Sequence, residues 1–278
     1  MRQALDASRL ATGDCGIQLG CLRETARMLS SLPPGITPPE AGEYMYRMIR
    51  ERAGVKDPYL QQKQEQNQLV SDLLPWLRKT VEDADDPLLV AARLAMAGNA
   101  IDPGAQHDFQ LEKSVQKALC LEQEMSEYPL FRERLKAAGS ILYIADNCGE
   151  VVFDRVLIET MYALGCAPVT LAVRAGPIIN DVTMTEALQL GLDRLCRVIS
   201  SGMHMPGTLP GRAEPGFREA FEKMDIVISK GQGNWETLED CGREVFFLLQ
   251  AKCEAVALIN QVEVGTLLLK RSTPLCGS

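Results

Sequence analysis

The sequence contains few of the residues that build imidazole-rich metal sites or nucleic-acid surfaces. Only two histidines, His107 and His204, occur in 278 residues, and aromatic residues make up 5% of the chain. An imidazole-rich zinc centre is therefore not expected, because such sites draw their ligands from several His and Cys side chains. No cluster of Lys and Arg is interleaved with aromatic residues, and the formal net charge is −8. Nucleic acid is therefore not an expected partner.

Long apolar runs and paired cysteines are also missing. No stretch approaches the roughly 18 apolar residues of a membrane span, and the N-terminal segment "MRQALDASRL" lacks the apolar core of a signal peptide. The nine cysteines are odd in number and never spaced as C-x-x-C, which favours reduced thiols over a disulfide framework or a zinc site. We therefore expect a cytoplasmic protein without a membrane partner.

The chain divides into two parts that differ in the spacing of their apolar residues. Up to residue 136, apolar residues recur at three- and four-residue spacing, which predicts helices in "IQLGCLRETARMLSSL", "EAGEYMYRMIRERAG", "YLQQKQEQNQLVSDLLPWLRKTVED" and "DPLLVAARLAMAGNAID". From Ile141, helical stretches alternate with short β-rich runs, namely "ILYIA", "VTLAV", "RVIS", "DIVIS", "VFFLL" and "AVALI". Strands that alternate with helices predict a mostly parallel sheet with helices on both faces.

The predicted fold class is therefore α/β. We expect a helical domain over residues 1–136, followed by a Rossmann-like three-layer α/β domain with a mostly parallel sheet over 137–278. The segment "SGMHMPGTLPGRAEPG" (201–216) is the one long irregular stretch. A lid, a binding loop or a plain surface excursion would each account for it.

Polar residues follow several of the predicted strands, at the edge where an open parallel sheet forms its ligand crevice. Asp146 and Asn147 follow "ILYIA", and the segment after "VTLAV" leads to Asp181. Carboxylates and an amide oxygen that share a crevice are costly unless a cation neutralises them. An all-oxygen set with open positions suits Mg²⁺ or Mn²⁺, which also bind substrate phosphate oxygens. We therefore predict a divalent metal held by Asp146, Asn147 and Asp181.

The segment "KGQGN" after "DIVIS" adds a cation to the same edge. Lys230 stands on a glycine-rich turn with Gly231, Gly233 and Asn234, and glycines let backbone N–H groups approach an anion closely. Metal, lysine and backbone donors together predict a phosphate site. Each motif alone has a plainer interpretation, because Asp-Asn-x-Gly also forms turns and helix caps. The dinucleotide fingerprint G-x-G-x-x-G and the P-loop motif are both absent.

Six sequence segments in a fixed order carry a family resemblance. They are "RQALDASRLAT", "AGNAIDPGA", "ADNCGEVVFDRVLIE", "GPIINDVTMTEALQLGL", "ISKGQGNWETL" and "LLQAKCEAVA". This set resembles the DUF89 family of damage-control phosphatase, ARMT1-like proteins, in particular its compact prokaryotic branch, and covers nearly the whole chain. Relatives commonly carry C-x-x-C just before "RQALDA"; here the sequence starts after that point, so the pair is either missing or trimmed, and no role is assigned to it.

The resemblance implies a metal-dependent phosphatase that acts on small phosphorylated metabolites, either sugar phosphates or damaged cofactor-like phosphates, in metabolite damage control. It implies Mn²⁺, Co²⁺, Ni²⁺ or Mg²⁺ as the cofactor. The family's metal-binding Asp, Asn and second Asp fall on Asp146, Asn147 and Asp181, and its K-G-x-G-N segment falls on Lys230–Asn234, around the phosphate.

Neighbouring residues complete the predicted catalytic site. Backbone N–H groups near Gly149 and Gly231 are expected to hold phosphate oxygens. The nucleophile is either a water activated at the metal or Asp146 itself. Glu150 either orients that water or caps the following helix, with capping the expected role, and Asn180 supports the adjacent ligand.

Residues outside these motifs have more open interpretations. Asn99 and Asp102 either form a helix C-terminal turn or contribute to substrate recognition from the helical domain, which would place the site in the interdomain cleft. Lys252 is a further candidate for contact with phosphate, and Trp235 is a candidate for flanking the site.

Two other functions stay open from the sequence. One is an S-adenosylmethionine-dependent carboxyl methyltransferase, a role discussed for part of the wider family, although "DNCGE" stands where a glycine-rich adenosine loop would be expected. The other is a non-catalytic module that binds a metabolite or a partner. The sequence carries no signal for an oligomeric state.

Overall fold

The computed structural model of the chain describes residues 1–98, 108–121 and 123–272. Within these ranges, helices surround a single mostly parallel sheet, which confirms the predicted α/β fold class. No helix in this part of the chain is long and apolar enough to cross a membrane.

The helices and strands have the following bounds. The helices are α1 (Arg2–Ala11), α2 (Cys15–Ser30), α3 (Pro38–Ala53), α4 (Leu60–Asp72), α5 (Leu74–Glu82), α6 (Pro87–Ala97), α7 (Asp108–Leu119), α8 (Tyr128–Ala137), α9 (Glu150–Ala163), α10 (Met184–Gln189), α11 (Pro215–Lys223), α12 (Gln232–Leu238) and α13 (Glu254–Asn260). The strands are β1 (Gln123–Glu124), β2 (Ile141–Ile144), β3 (Val169–Val173), β4 (Arg197–Ser200), β5 (Ile226–Lys230), β6 (Phe246–Gln250) and β7 (Leu267–Arg271). Two 3₁₀-helices are Leu192–Arg194 and Pro210–Arg212.

The strand order of the sheet determines where a ligand crevice forms. The order is β1-β7-β6-β5-β2-β3-β4, and neighbouring strands are parallel except for the antiparallel pair β6 and β7. The chain runs outward from β2 through β3 to β4 and then returns to the other side of β2 with β5. The strand order therefore reverses between β2 and β5, and open α/β sheets form their ligand crevices at the carboxyl ends of strands at such a point.

Helices cover both faces of the sheet. In β2, Ile141 and Tyr143 face the larger core, whereas Leu142 and Ile144 face a second core, because successive side chains of a strand point to opposite faces. Helices α4 to α9 contribute to the larger core, and α11, α12 and α13 contribute to the second. All four β2 side chains are buried, as expected for a central strand of a three-layer fold.

The helical first half does not share one separate core. Helices α1, α2 and α3 enclose a small cluster that contains Ala7, Cys21, Ile49 and also Ile178, which lies in the loop after β3. Helices α4 to α8 instead pack on the sheet together with α9. The domain boundary between residues 136 and 137 stays a prediction, and the larger core extends across it.

Some predicted elements differ from those observed. The run "AVALI" predicted a strand but lies in helix α13, because five apolar residues do not distinguish a strand from a helix. In α13, Val256 and Ala257 are buried while Leu258 is 80% exposed, which is the one-sided burial of a surface helix. The helix predicted over "YLQQKQEQNQLVSDLLPWLRKTVED" is two helices that meet at Leu73, since Pro75 lacks a backbone N–H. The sequence does not predict strands β1 and β7.

Candidate functional site

A cavity of about 980 Å³ opens at the carboxyl ends of the strands where the strand order reverses. Asp146 and Asp181 line it from the sheet side. Pro39 and Tyr46 of α3 and Gln66 of α4 line it from the other side. The cavity therefore lies between the first helices and the sheet edge at which the sequence predicted a site.

The backbone brings the predicted metal ligands together. Asn147 and Asp181 form an antiparallel β-bridge, and the backbone N–H of Val182 donates to the carbonyl oxygen of Asp146 at 2.9 Å. The segment after β2 therefore runs alongside the segment that carries Asp181. This pairing explains how two residues that are distant in sequence reach the same wall of the cavity.

The segment before Asp181 is held in an unusual backbone conformation. Ile179 has a φ of 43°, in the left-handed region that β-branched residues rarely adopt, and its side chain lines the cavity. Two residues before Ile179, the carbonyl oxygen of Pro177 accepts a hydrogen bond from the Arg50 guanidinium of α3. Backbone strain of this kind costs about 1–3 kcal/mol and is concentrated at binding and catalytic sites.

The two carboxylates create a costly concentration of charge. Burial, followed by the charges of Asp181 and Glu150, raises the pKa of Asp146 well above its ordinary value. Burial also raises the pKa of Asp181, although Arg174 acts in the opposite direction. Asp146 and Asp181 are only 8% and 2% exposed, so water does little to offset the repulsion between their carboxylates.

The donor set suits a hard divalent cation with open coordination positions. No group of three or more His, Cys, Asp or Glu side chains that could hold a metal occurs in the described ranges. The candidate set is therefore limited to the carboxylates of Asp146 and Asp181 with the amide of Asn147. A cation placed among them would relieve the charge crowding, and Mg²⁺ or Mn²⁺ fills remaining positions with water or phosphate oxygens. The residues present fit such an ion.

Asn147 is held by its neighbours. Its side-chain amide donates to Asp146 Oδ2 at 2.8 Å and to Glu150 Oε2 at 3.2 Å. The other oxygen of Glu150 accepts a hydrogen bond from Lys230 at 2.5 Å. Glu150 therefore links Lys230 to Asn147 through its side chain, which is a different arrangement from the helix cap expected from the sequence.

Lys230 lies in the interior behind the cavity. Besides its bond to Glu150, its Nζ donates to Asp154 Oδ1 at 2.7 Å and to the carbonyl oxygen of Ala95 at 2.8 Å. Its side chain is fully buried. Burial raises the pKa of Asp154 to about 6 even though the charge of Lys230 opposes the shift. These contacts do not support the predicted contact between Lys230 and phosphate, which stays a prediction.

The glycines of the segments "DNCGE" and "KGQGN" lie in close contact with neighbouring parts of the chain. The N–H of Gly149 donates to Asn67 Oδ1 at 2.7 Å, and the N–H of Gly231 donates to the Leu248 carbonyl oxygen at 3.1 Å. The N–H groups of these two glycines therefore already have protein acceptors, and the predicted phosphate contact from backbone N–H groups near them stays a prediction. Gly231 has a φ of 79°, and a Cβ placed on it would lie 1.9 Å from Asp146 Oδ2.

The end of the K-G-x-G-N segment contacts the long irregular loop. A Cβ on Gly233 would lie 1.9 Å from the carbonyl oxygen of Pro206, and both residues line the cavity. Asn234 is fully buried and donates to the Lys230 carbonyl oxygen at 2.8 Å. Met203 and Met205 are buried in the second core. The loop over 201–216 therefore contributes Pro206 to the cavity wall and packs against the second core, so it is not a plain surface excursion.

Other predicted residues have the following positions. Asn180 lines the cavity and donates to Gln66 Oε1 at 3.2 Å. Trp235 is buried in the second core and is not among the residues that line the cavity. Asn99 and Asp102 lie outside the described residues.

Sequence reasoning gave no role to Arg174, although it is the first residue after β3. Its Nε donates to Asp181 Oδ2 at 2.7 Å, and an NH2 nitrogen lies 3.7 Å from Asp146 Oδ1. The two carboxylates therefore face the same buried guanidinium. In the sequence, the place of Arg174 at a strand end near the predicted ligands indicates that it belongs to this edge of the sheet. Position alone does not show which way a long side chain turns.

Comparison with known proteins gives consistent matches over nearly the whole chain. The sequence matches the damage-control phosphatase ARMT1-like domain over residues 1–268. It is 35% identical over 269 residues to a damage-control phosphatase of Pyrococcus horikoshii, which covers 95% of this chain and 92% of that protein. It is 30% identical over 280 residues to a damage-control phosphatase of Archaeoglobus fulgidus, and this match covers 95% of this chain and 93% of that protein. The crystal structure of a DUF89 family protein from P. horikoshii aligns with a TM-score of 0.89 and 33% identity, covering 98% of this chain and 95% of that chain.

Proposed function

Because this chain belongs to the damage-control phosphatase ARMT1-like family, we propose that it is a metal-dependent phosphatase that hydrolyses small phosphorylated metabolites. The family assignment confirms the resemblance seen in the sequence. Metal dependence is our inference from the site: Asp146, Asn147 and Asp181 meet at one wall of the cavity, and the buried carboxylates crowd negative charge there. This meeting of oxygen ligands is the observation that carries the proposal.

In the proposed mechanism, Asp146, Asn147 and Asp181 would hold a divalent ion, which would supply positive charge to stabilise the phosphoryl group of the substrate. The chain adds a second positive charge at Lys252. Among the described residues that line the cavity, Lys252 is the only Lys or Arg. It follows β6, and its backbone N–H donates to Gln232 Oε1 at 3.1 Å, which ties it to the start of α12. We assign contact with the phosphate to Lys252.

The remaining walls would enclose the rest of the substrate. Pro39, Tyr46 and Gln66 of the first helices face the sheet edge across the cavity, so a bound metabolite would be enclosed from both sides. Enclosure excludes water from the charged groups and strengthens their interaction with phosphate. A small phosphorylated metabolite as the partner and the cytoplasm as the location stay predictions.

A chelator experiment tests the metal requirement. The protein is purified, treated with a chelator and assayed for hydrolysis of a chromogenic phosphate ester. We expect hydrolysis to be lost and then restored by Mn²⁺, Co²⁺, Ni²⁺ or Mg²⁺, and we expect Asp146→Asn and Asp181→Asn each to lower restored turnover at least about 100-fold. Asp193→Asn is the matched control, because Asp193 is exposed and is not among the residues that line the cavity.

Several outcomes would contradict this proposal. Unchanged turnover in chelator would exclude the metal requirement, and full activity of both ligand variants would exclude the ligand set. Calorimetry distinguishes the alternatives. Metal-independent binding of S-adenosylmethionine would favour a methyltransferase, and binding of phosphate esters without any turnover would favour a binding module.

A further inference from the structure

The guanidinium of Arg174 joins four separate segments of the chain around the candidate metal site. Besides its contacts with the two carboxylates, NH1 donates to the carbonyl oxygen of Gly207 at 2.7 Å and to Thr208 Oγ1 at 2.9 Å. NH2 donates to Asn234 Oδ1 at 3.1 Å. The segments that meet here are the end of β2, the loop with Asp181, the cavity wall over 201–216 and the first turn of α12.

Arg174 is itself internal. Its side chain is 2% exposed, and it is not among the residues that line the cavity. A substrate in the cavity would therefore meet Asp146 and Asp181, with the guanidinium behind them. Each nitrogen of its planar fork has at least one acceptor, so the orientation of the side chain is fixed.

We propose that Arg174 is a positioning residue: its guanidinium fixes Asp181 relative to Asp146 and to the wall loop over 201–216, so that the carboxylates hold one geometry for the metal. This inference rests on the proposed function. Hydrogen bonds to ligating carboxylates orient them, and loss of such partners typically lowers metal affinity or activity about 10- to 100-fold.

The role requires the shape of the guanidinium in addition to its charge. A positive charge beside the carboxylates repels a divalent cation, so charge alone would weaken metal binding. Arginine is useful here because its fork donates in several fixed directions at once, whereas the ammonium of lysine is a compact charge on a flexible stem. Arg174→Lys therefore keeps the charge and removes the geometry.

Calorimetric titration of the metal-free protein with Mn²⁺ tests the proposal without reference to turnover. We expect Arg174→Lys to bind Mn²⁺ about 10- to 100-fold more weakly than wild type, with an unchanged circular dichroism spectrum. The control is Arg78→Lys, because Arg78 likewise donates to a carboxylate, bonding both oxygens of Glu159 at 2.8 and 2.7 Å, but lies at the surface and does not line the cavity. Wild-type affinity in Arg174→Lys would overturn the proposal.

A milder variant decides the question if Arg174→Lys does not fold. Thr208→Val keeps the side-chain shape and the guanidinium but removes one of its acceptors. We expect it to lower Mn²⁺ affinity several-fold, since a charged hydrogen bond is lost. Thr80→Val, which removes a hydroxyl bonded to the Trp76 carbonyl oxygen in α5, should bind Mn²⁺ like wild type. Equal affinities for Thr208→Val and wild type would overturn the proposal.

The same titration separates this inference from the proposed function. If wild-type protein binds no divalent ion at all, then the proposed metal dependence fails. If wild-type protein binds Mn²⁺ and the variants bind it equally well, then only the positioning role of Arg174 fails.

Discussion

At the scale of single residues, the buried cations explain how acidic side chains are tolerated behind the cavity. Lys230 has two carboxylate partners, Glu150 and Asp154, and Tyr143 donates to the same oxygen of Asp154 at 2.7 Å. Glu150 in turn accepts from Asn147. We therefore interpret Lys230 as an internal support for Asn147. The sequence identified the residue but not this role, because a strand-end lysine extends equally well into a cavity or into the core.

Replacing Lys230 tests this interpretation. Lys230→Met would leave Glu150 and Asp154 buried beside each other without their cation. Removing one partner of a buried ion pair typically costs about 3–5 kcal/mol, so we expect a loss of that order in the free energy of unfolding. Urea unfolding of the metal-free protein measures it.

The control for this measurement is an exposed lysine. Lys223 pairs with Glu219 on the surface at 2.8 Å, and Lys223→Met should leave the urea midpoint unchanged. If Lys230 instead contacts phosphate, then Lys230→Met would raise KM while stability stayed at the wild-type level, and that result would contradict the internal role.

At the scale of elements, the short turn between β5 and α12 determines how closely the end of β5 approaches Asp146, which follows β2. Gly231 directly follows β5 with a φ of 79°, and the side chain of Asp146 occupies the space that a Cβ would need. Helix α12 begins at Gln232, directly after this glycine. The glycines of "KGQGN" therefore serve contact between protein segments, and the N–H of Gly231 is already bonded to the Leu248 carbonyl oxygen.

We expect Gly231→Ala to disturb Asp146 directly. The new methyl group would displace the Asp146 carboxylate, and the backbone conformation of Gly231 (φ 79°, ψ 158°), which is almost exclusive to glycine, costs a residue with a Cβ about 1–3 kcal/mol. Restored phosphatase activity should fall at least about tenfold, together with Mn²⁺ affinity. Activity and calorimetry of the purified variant check both effects.

Gly211→Ala is the matched control for this element. A Cβ on Gly211 would have no atom within 4 Å, and the residue lies in the wall loop away from Asp146. We expect wild-type activity and Mn²⁺ affinity for this variant. Equal behaviour of Gly231→Ala and Gly211→Ala would show that the close approach of β5 to Asp146 is not needed.

At the scale of the whole molecule, the sequence predicted the sheet and its polar edge but not how the two halves share a core. Strands β3 and β4 match the runs "VTLAV" and "RVIS", because each is a short β-rich run bounded by loop residues. The contacts of α4, α5 and α6 with the sheet could not be predicted, since an amphipathic helix shows that it has a buried face but not what covers it.

This shared core leads to a prediction about cooperativity. Leu77 of α5 and Ala91 of α6 lie in the same buried cluster as Ile141 and Ile228 of the sheet. Because the cluster crosses the predicted boundary at residue 136, neither half can unfold without exposing apolar surface of the other. We expect one cooperative transition for both halves, although two independent domains would give two.

The two tryptophans of the chain report on the two halves separately. Trp76 lies in α5, on the helical side, and Trp235 lies in α12, beside the sheet. Each variant, Trp76→Phe or Trp235→Phe, keeps one tryptophan, and its urea unfolding is followed by the fluorescence of that tryptophan and by circular dichroism. We expect the fluorescence midpoint and the circular dichroism midpoint to coincide within each variant. Separate midpoints for the two probes within one variant would contradict a shared core and would support independent domains that meet near residue 136.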